Sequence, residues 1–241
     1  MQYSPNHFTE LEDFKTGTLL LIDKPKGYTS FDVVNKLRWL IRKKLGVKKI
    51  KVGHAGTLDP LATGLLVICT GKMTKQIQFL TSDTKTYEAE IVVGKTTPSF
   101  DLETTPEGDF SIEHITEERV RSVANSFIGK QEQTPPKFSA KKIDGVRAYV
   151  SAREGVELKM KVNTIEIFNL EITKINLPSI SFTVHTSKGT YIRSLANDFG
   201  AKLDSGAYLS KLVRTKSGDF DLQNALSIAQ FEDRLNGLPE L

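Results

Sequence analysis

The sequence predicts an α+β fold with a mixed, largely antiparallel central sheet flanked by helices and loops. Three observations lead to this: short apolar or alternating runs typical of strands, amphipathic runs typical of helices, and no regular strand–helix–strand rhythm. The chain has 241 residues, of which 39% are hydrophobic, which suffices for a full core. We find no internal repeat and no linker, and therefore expect a single domain over residues 1–241.

The first part of the chain alternates core strands with one long helix. Apolar runs at residues 18–23 and 65–70 predict buried strands. Residues 30–45 predict a helix with one apolar and one basic side, with Ser30 as its N-cap and Gly46 as its stop. We expect this helix to pack its apolar side against the strands.

The remaining part contains further strands, helices and one long polar segment. Residues 86–94 alternate as a half-buried strand does, and residues 116–129 predict a capped amphipathic helix. Residues 130–155 are polar and basic, and a loop of this length is usually functional or disordered. The other predicted elements are a short helix at 73–80, strands at 162–173 and 180–187, a helix from about Tyr191, and a final helix at 222–235.

Residue usage excludes several classes of protein. No run of about 18 apolar residues is present, and the N-terminus lacks the basic-then-apolar pattern of a secretory signal. A single cysteine, Cys69, excludes an intrachain disulfide and a cysteine-based zinc site, and the four histidines are scattered. We expect a cytoplasmic protein that needs no metal or other cofactor and contacts no membrane.

The net charge of +4 is unevenly distributed. Between Val33 and Leu58 there are eight Lys or Arg residues and no acid, and a second basic stretch covers residues 137–147. A segment with positive charges only suits a polyphosphate partner, although a solvated helix face explains an isolated basic run equally well. Two such segments around an uncharged glycine loop favour nucleic acid. The residues expected at the RNA backbone are Lys43, Lys44, Lys48, Lys49, Lys137, Lys141 and Lys142.

The glycine loop at residues 53–64, GHAGTLDPLATG, holds a single carboxylate, Asp59. Its glycine spacing fits neither a P-loop nor a dinucleotide-binding fingerprint. Three glycines allow a turned backbone and a close approach to a ligand. From this pattern alone, Asp59 is either a functional acid or a residue that makes local turn hydrogen bonds.

Residues 53–75, GHAGTLDPLATGLLVICTGKMTK, closely resemble the catalytic motif of the TruB family, the bacterial tRNA pseudouridine-55 synthases. The resemblance extends over roughly residues 18–220 in the family's order, and it implies the pseudouridine synthase fold and an isomerase. The other similar segments are LLLIDKPKGYTSFDVV, KTYEAEIVVGKTT, QTPPKFSAKKIDGVRAY (the family's RNA-gripping loop), SKGTYIRSLANDFG and YLSKLVRTKSGDF.

The resemblance implies catalytic roles for three residues. Asp59 would be the carboxylate that promotes cleavage between C1′ and N1, after which the uracil turns and rejoins through C5. Arg193 would pair with Asp59 and keep it ionised. Tyr191 would lie beside the flipped uracil, with transfer of the C5 proton as a second role. Whether Asp59 attacks C1′, adds to the base or removes a C2′ proton stays open.

The resemblance also implies substrate contacts. Tyr87 would stack on the flipped uracil, although its apolar strand face favours ordinary core packing when the family is ignored. His54 would enter the space that the uridine leaves in the T loop, and Leu212 would line the pocket. Arg214 would touch phosphate or the pocket wall, and Lys24 would brace the active-site loop. The implied partner is the T arm of tRNA, bound by a monomer without an obligatory protein partner.

The chain departs from the family pattern at two places. About twenty residues follow Gly218, so we expect no C-terminal PUA-like domain. The segment TTPSFDLETTPEG replaces a family pattern after the strand at 86–94, with Asp101 as the candidate for the family's acid.

Three alternative functions are considered. A non-catalytic tRNA-folding chaperone is disfavoured because Asp59, Tyr87 and Arg193 are all present. A guide-RNA-dependent synthase of the dyskerin type is disfavoured by the compact chain. A phosphate-binding or nucleotide-hydrolysing protein is disfavoured by the missing P-loop spacing.

Overall fold

A computed structural model of the chain describes residues 4–81, 83–138, 142–143, 146–147 and 161–239. They divide into two compact units, one of Met1–Thr86 with Val213–Leu241 and one of Tyr87–Leu212. This division does not decide between one domain and two, so the single-domain organisation stays a prediction.

The first unit contains a group of short strands with helices on both faces. Its elements are α1 (Asp13–Thr16), β1 (Leu19–Lys24), α2 (Ser30–Leu45), β2 (Val52–Ala55), β3 (Thr63–Thr70), a 3-10 helix (Gly71–Gln76), α3 (Ile77–Leu80), the end of β10 (Ala207–Ser217), β11 (Phe220–Asp221), a 3-10 helix (Leu222–Asn224) and α6 (Ile228–Asn236). Strand β3 pairs antiparallel with β1 and β2 and parallel with the end of β10. Side chains of β1 and β3 alternate between two clusters, because successive residues of a strand point to opposite faces. One cluster packs against α2 and α6, and the other against α3.

The second unit contains the antiparallel partners β5, β8 and β9, with two longer helices. Every second residue of β9 is buried, as expected for a strand with one face on a core. Phe182 of this buried set stacks on Phe199 of helix α5 with ring centroids 6.2 Å apart. The elements are β4 (Thr84–Val93), α4 (Glu117–Asn125), β5 (Gly129–Gln133), β6 (Lys142–Ile143), β7 (Val146–Arg147), β8 (Asn163–Asn176), β9 (Ser179–Ser187), α5 (Ile192–Lys202) and β10 (Ala207–Ser217), of which β4 begins and β10 ends in the first unit.

The predicted fold class is confirmed, since the chain is α+β and its sheet is mostly antiparallel. The helix at 30–45 and its stop at Gly46 are also confirmed, with Gly46 at φ +64° in the left-handed region. The predicted N-cap residue, Ser30, was wrong, however. The Thr29 side chain accepts the Asp32 N–H and completes a capping box, while Ser30 is the first helical residue.

Three predicted element boundaries were also wrong. The helix predicted at 116–129 ends at Asn125, because Gly129, at φ +109°, already begins β5. The polar segment predicted as a loop from residue 130 therefore starts as a strand, and most of its remainder lies outside the described residues. The final helix is divided into a 3-10 turn and α6, which has its own capping box at Ser227.

Candidate functional site

The loop between β2 and β3 carries Asp59, and its backbone is fixed by the helix that precedes it. The buried Ser30 hydroxyl accepts the Leu58 N–H at 2.8 Å and donates to the Leu58 carbonyl at 3.1 Å. On the other side, the Ala62 N–H donates to the Asp59 carbonyl at 3.1 Å. Asp59 itself is partly exposed. Its main chain is thus held in place by bonds on both sides, while the residue itself stays partly exposed.

Arg214 holds the first half of this loop from below the surface. Its side chain is 1% exposed, and its Nε donates to the Leu65 carbonyl at 2.8 Å. Its two terminal nitrogens donate to the carbonyls of Gly56 at 3.1 Å and Thr57 at 3.4 Å. A buried charge needs polar partners, and these three carbonyls supply them. Arg214 therefore lies buried against the backbone of the loop, and its predicted contact with phosphate or the pocket wall stays a prediction.

Two glycines of the loop are required, for different reasons. Gly64 has φ +99°, and a Cβ there would lie 2.4 Å from the Arg214 carbonyl oxygen, so the close approach of strand β10 requires glycine. Gly56 has φ +93°, but a Cβ there would lie 3.5 Å from a terminal nitrogen of Arg214, an ordinary contact distance, so only the backbone conformation requires glycine. The sequence suggested that the glycines admit a ligand. At Gly64 the missing side chain admits the chain's own strand.

Lys24 holds the second half of the loop. It is 0% exposed, and its Nζ donates to the carbonyls of Tyr28 at 2.6 Å, Pro25 at 3.1 Å and Pro60 at 3.3 Å. Burial lowers the pKa of Lys24 to about 8, although the negative charge of Asp59 acts in the opposite direction. The predicted bracing position of Lys24 agrees with these contacts.

His54 lies in β2, before the loop, and is half-buried. Burial lowers its pKa and the nearby Arg214 charge adds to this, while a hydrogen bond with the Gly56 backbone opposes it. The ring is therefore neutral at pH 7. Its Nδ1 is buried and has no hydrogen-bond partner among the described residues. The predicted entry of His54 into the T loop stays a prediction.

In the second unit, Arg193 occupies the first turn of α5 and is 3% exposed. Its Nη1 donates to the Ser99 carbonyl at 3.3 Å, and its Nε lies 3.6 Å from Oδ2 of Asp101, which is also buried. Asp101 in turn accepts the Glu103 N–H at 2.9 Å. Arg193 thus has a buried carboxylate partner in its own unit. Its predicted pairing with Asp59, a residue of the first unit, stays a prediction.

Tyr191 is the N-cap residue of α5, but its own side chain makes no capping bond. Instead, the buried Gln133 side chain accepts the Tyr191 N–H at 2.7 Å and donates to the Tyr191 carbonyl at 3.1 Å. One turn later, the Ser194 hydroxyl donates to the Thr134 carbonyl at 2.7 Å. The end of β5 therefore fixes the helix start that carries Tyr191 and Arg193.

The comparisons with known proteins give the family. The model of the TruB family pseudouridylate synthase (N terminal domain) matches residues 42–192, more than half of the chain. The chain belongs to the TruB family. It is therefore an enzyme of the isomerase class, a pseudouridine synthase, as the sequence resemblance predicted.

Two TruB relatives match nearly their whole length. The chain is 53% identical to tRNA pseudouridine synthase B of Phocaeicola vulgatus, over 93% of this chain and 95% of the relative. It is 51% identical to tRNA pseudouridine synthase B of Flavobacterium johnsoniae, over 93% and 98%. Among solved structures, a Cbf5-Nop10-Gar1 complex matches with a TM-score of 0.69 and 28% identity, over 96% of this chain and 60% of that chain.

The other predicted site residues are placed as follows. Tyr87 is 7% exposed on the buried face of β4, so core packing and stacking on a base both remain open for it. Leu212, at the end of the second unit, is half-buried. Among the predicted RNA-backbone lysines, Lys43, Lys48, Lys49 and Lys137 are exposed and Lys44 is half-buried, whereas Lys141 and the Lys142 side chain lie outside the described residues.

Sequence reasoning missed the residues that hold the candidate catalytic segments through their backbones. Ser30 was interpreted only as a cap, and Gln133 only as part of a polar loop. Neither residue belongs to a spacing pattern, and the one available signal was a polar residue next to a motif. Within the described ranges, no helix is long and apolar enough to cross a membrane, and no group of three or more His, Cys, Asp or Glu residues could hold a metal.

Proposed function

We propose that this chain converts the T-loop uridine of tRNA, uridine-55, to pseudouridine, with Asp59 as the catalytic carboxylate. The observation that carries the proposal is the Asp59 loop, in which buried groups hold the backbone on both sides of a partly exposed Asp59. Two relatives named tRNA pseudouridine synthase B, at 53% and 51% identity, support the substrate class. An enzyme that modifies tRNA is expected in the cytoplasm.

The proposed reaction is an internal rearrangement of one nucleoside. The bond between C1′ and N1 breaks, the uracil turns, and C1′ bonds to C5. The C5 proton leaves, and N1 ends with a proton. We favour removal of the C2′ proton by Asp59 with a glycal intermediate, followed by return of that proton to C2′ as C1′ bonds to C5; the first of these steps requires the ionised carboxylate. Oxidation states balance, so the rearrangement requires no redox partner.

The remaining roles rest on the family resemblance. The target uridine leaves its stack, and Tyr87 and Tyr191 contact the extruded uracil. Arg193 keeps Asp59 ionised, and His54 enters the space left in the T loop. Leu212 lines the pocket. The lysines predicted at the RNA backbone neutralise phosphates, and the chain acts as a monomer on the T arm.

A guide-RNA-dependent synthase is the second candidate. The specific observation in its favour is the match to the Cbf5-Nop10-Gar1 complex. The sequence identity of 28% is well below the 53% shared with the named tRNA enzyme, and the chain covers 60% of that solved chain. We therefore favour the stand-alone enzyme, without an obligatory protein partner.

The test is release of tritium from tRNA labelled at C5 of its uridines. The purified chain alone, in the presence of a chelator, should release the label from the T-loop uridine of unmodified tRNA. Asp59→Asn should reduce the rate by at least about 100-fold, because an amide neither accepts a proton nor attacks as a carboxylate does. Binding of tRNA by that variant should persist.

Undiminished tritium release by Asp59→Asn would contradict the assignment of Asp59 as the catalytic carboxylate. A T-arm hairpin provides the matched substrate, and a hairpin with cytidine at the target position provides its control. Conversion of the hairpin without added RNA or protein supports the stand-alone enzyme. Activity that appears only with a guide RNA would favour the second candidate.

A further inference from the structure

The outer side of α2 carries two solvent-exposed aromatic rings. Phe31 is 60% exposed and Trp39 is 51% exposed, whereas the opposite side of the helix is part of the core. Single exposed apolar residues are ordinary, but two large rings on one helix present a surface of unusual composition. Aromatic side chains are typical of contact surfaces, since they offer large area at a low cost in conformational entropy.

Cations accompany both rings. The Arg38 guanidinium lies 5.9 Å from the Phe31 ring centroid, and the ammonium groups of Lys36 and Lys43 lie 5.1 and 5.2 Å from that of Trp39. Lys36 also lies 3.8 Å from Glu232, an exposed pair that is weak in water. The one acid within the helix, Asp32, is engaged by the capping box. This face is therefore both aromatic and positively charged.

The face begins next to the Asp59 loop. Ser30, which bonds both backbone groups of Leu58, immediately precedes Phe31. At 1.5 Å per residue, Trp39 lies about 12 Å further along the helix axis. Arg38 also donates to the Val52 carbonyl at 3.0 Å, which ties this face to the strand that leads into the loop. The face therefore extends along the helix by about the length of three or four stacked nucleotides, at roughly 3.4 Å each.

We propose that this face, formed by Phe31, Arg38, Trp39 and Lys43, binds RNA that flanks the target uridine. Trp39 stacks on an unpaired base, and the cations neutralise the phosphates beside it. Every base has a π face for such stacking, and positive charge selects a polyanion. The inference rests on the proposed function only in that RNA is the substrate.

Trp39 is the single tryptophan of the chain, so tryptophan emission reports on this face alone. The Asp59→Asn protein is titrated with unmodified tRNA and with the T-arm hairpin, while filter binding measures the affinity independently. Free tryptophan amide corrects for absorption by RNA. We expect RNA to quench the Trp39 emission saturably, with the same affinity that the filter assay gives. Its midpoint should weaken between 50 and 200 mM salt, because phosphate contacts release counterions.

Substitutions separate stacking from charge. Trp39→Ala should weaken RNA binding about tenfold, and Trp39→Phe should restore most of the loss, since stacking contributes roughly 1–3 kcal/mol per base. The matched control is Phe79→Ala, which removes a ring that is 72% exposed on α3 of the same unit and should leave binding unchanged.

The proposal is overturned if tRNA binds without changing the emission of Trp39, or if Trp39→Ala and Phe79→Ala behave alike. An acidic protein that quenches Trp39 where RNA does not would also overturn it, in favour of a protein interface. Failure of the proposed function has a different signature, because Trp39 would still respond to RNA while the T-loop uridine releases no tritium.

Discussion

The two segments with candidate catalytic residues are held by groups of different charge. In the first unit, the backbone around Asp59 is bound by two buried cations, Lys24 and Arg214. In the second unit, the backbone of Tyr191 is bound by the neutral amide of Gln133. Both arrangements satisfy main-chain groups with side chains. They differ in what burial costs and in how they respond to pH.

The cations bind more carbonyls but carry a larger desolvation penalty. Taking a charge out of water costs several kcal/mol, and only good hydrogen bonds offset this penalty. Arg214 and Lys24 each donate to three carbonyls. The amide of Gln133 meets one donor and one acceptor and has no charge to desolvate. The contrast predicts large, partly pH-dependent effects in the first unit and smaller, pH-independent effects in the second.

The largest effect is expected for Arg214→Met. It leaves the carbonyls of Gly56, Thr57 and Leu65 without this donor, and each buried carbonyl that loses its donor costs about 1–3 kcal/mol. Urea unfolding should report this loss, and tritium release should fall as the loop loses its position. Arg214→Lys should recover only part, because an ammonium lacks the planar fork of donors.

The control for this substitution is Arg121→Met. Arg121 forms an exposed ion pair with Glu117 within α4, and such pairs contribute about 1 kcal/mol or less. If Arg214→Met is no more destabilising than Arg121→Met, the three carbonyl bonds do not carry the stability assigned to them.

The next effect concerns Lys24 and pH. Its pKa is about 8 in the folded chain, below the ordinary value of 10.5, so the unfolded chain holds more protons between these two values. The free energy of unfolding of the natural chain should therefore rise, relative to that of Lys24→Met, as pH increases from 8 to 10.5. The difference between these two pKa values corresponds to a change of at most about 3 kcal/mol in the free energy of unfolding.

Denaturant unfolding of both proteins across this pH range measures the difference directly. A difference that stays flat, or falls, would mean that Lys24 keeps its ordinary pKa and that its charge is not desolvated in the fold. Lys26, which is exposed two residues later, supplies the control Lys26→Met, which removes a lysine side chain from the surface of the same segment.

The sequence was sufficient for the parts of the molecule that repeat a pattern. The strands of the first unit and helix α2 follow from apolar periodicity, and the Asp59 motif follows from its resemblance to a family. Ser30 and Thr29 are adjacent hydroxyl residues with the same capping chemistry, so the sequence could not decide which one caps the helix. The packing of Leu58 against Ser30 decides it, and that contact joins residues 28 positions apart.

Gln133 shows the same limit more sharply. The run KQEQ in β5 is entirely polar, and nothing in its periodicity indicates that its last residue is buried. Gln133 can be buried because its partner is main chain. An amide that bonds one main-chain N–H and one main-chain carbonyl is satisfied without any matching side chain. Bonds from side chains to backbone leave no pattern in sequence, and they hold both candidate catalytic segments.

The smallest effect is expected at Gln133, and it tests whether the neutral amide is what makes this segment independent of pH. Gln133→Glu keeps the oxygen that accepts the Tyr191 N–H but places a second oxygen against the Tyr191 carbonyl, where the amide donated. Two facing acceptors repel unless the introduced carboxyl is protonated, so we expect kcat to fall about tenfold at pH 8 and to recover toward pH 5, with a smaller change in KM.

The paired variant is Gln133→Met, which removes both bonds at every pH and should lose about 1–2 kcal/mol of stability without any pH dependence. Each variant is compared with the natural chain at the same pH, so that titration of other groups cancels. If Gln133→Glu follows Gln133→Met at every pH, the two bonds to Tyr191 do not position the helix start. If only Gln133→Glu regains kcat in acid, the helix start requires a neutral donor at residue 133. The second unit then differs in this respect from the first, where Lys24 and Arg214 are charged donors.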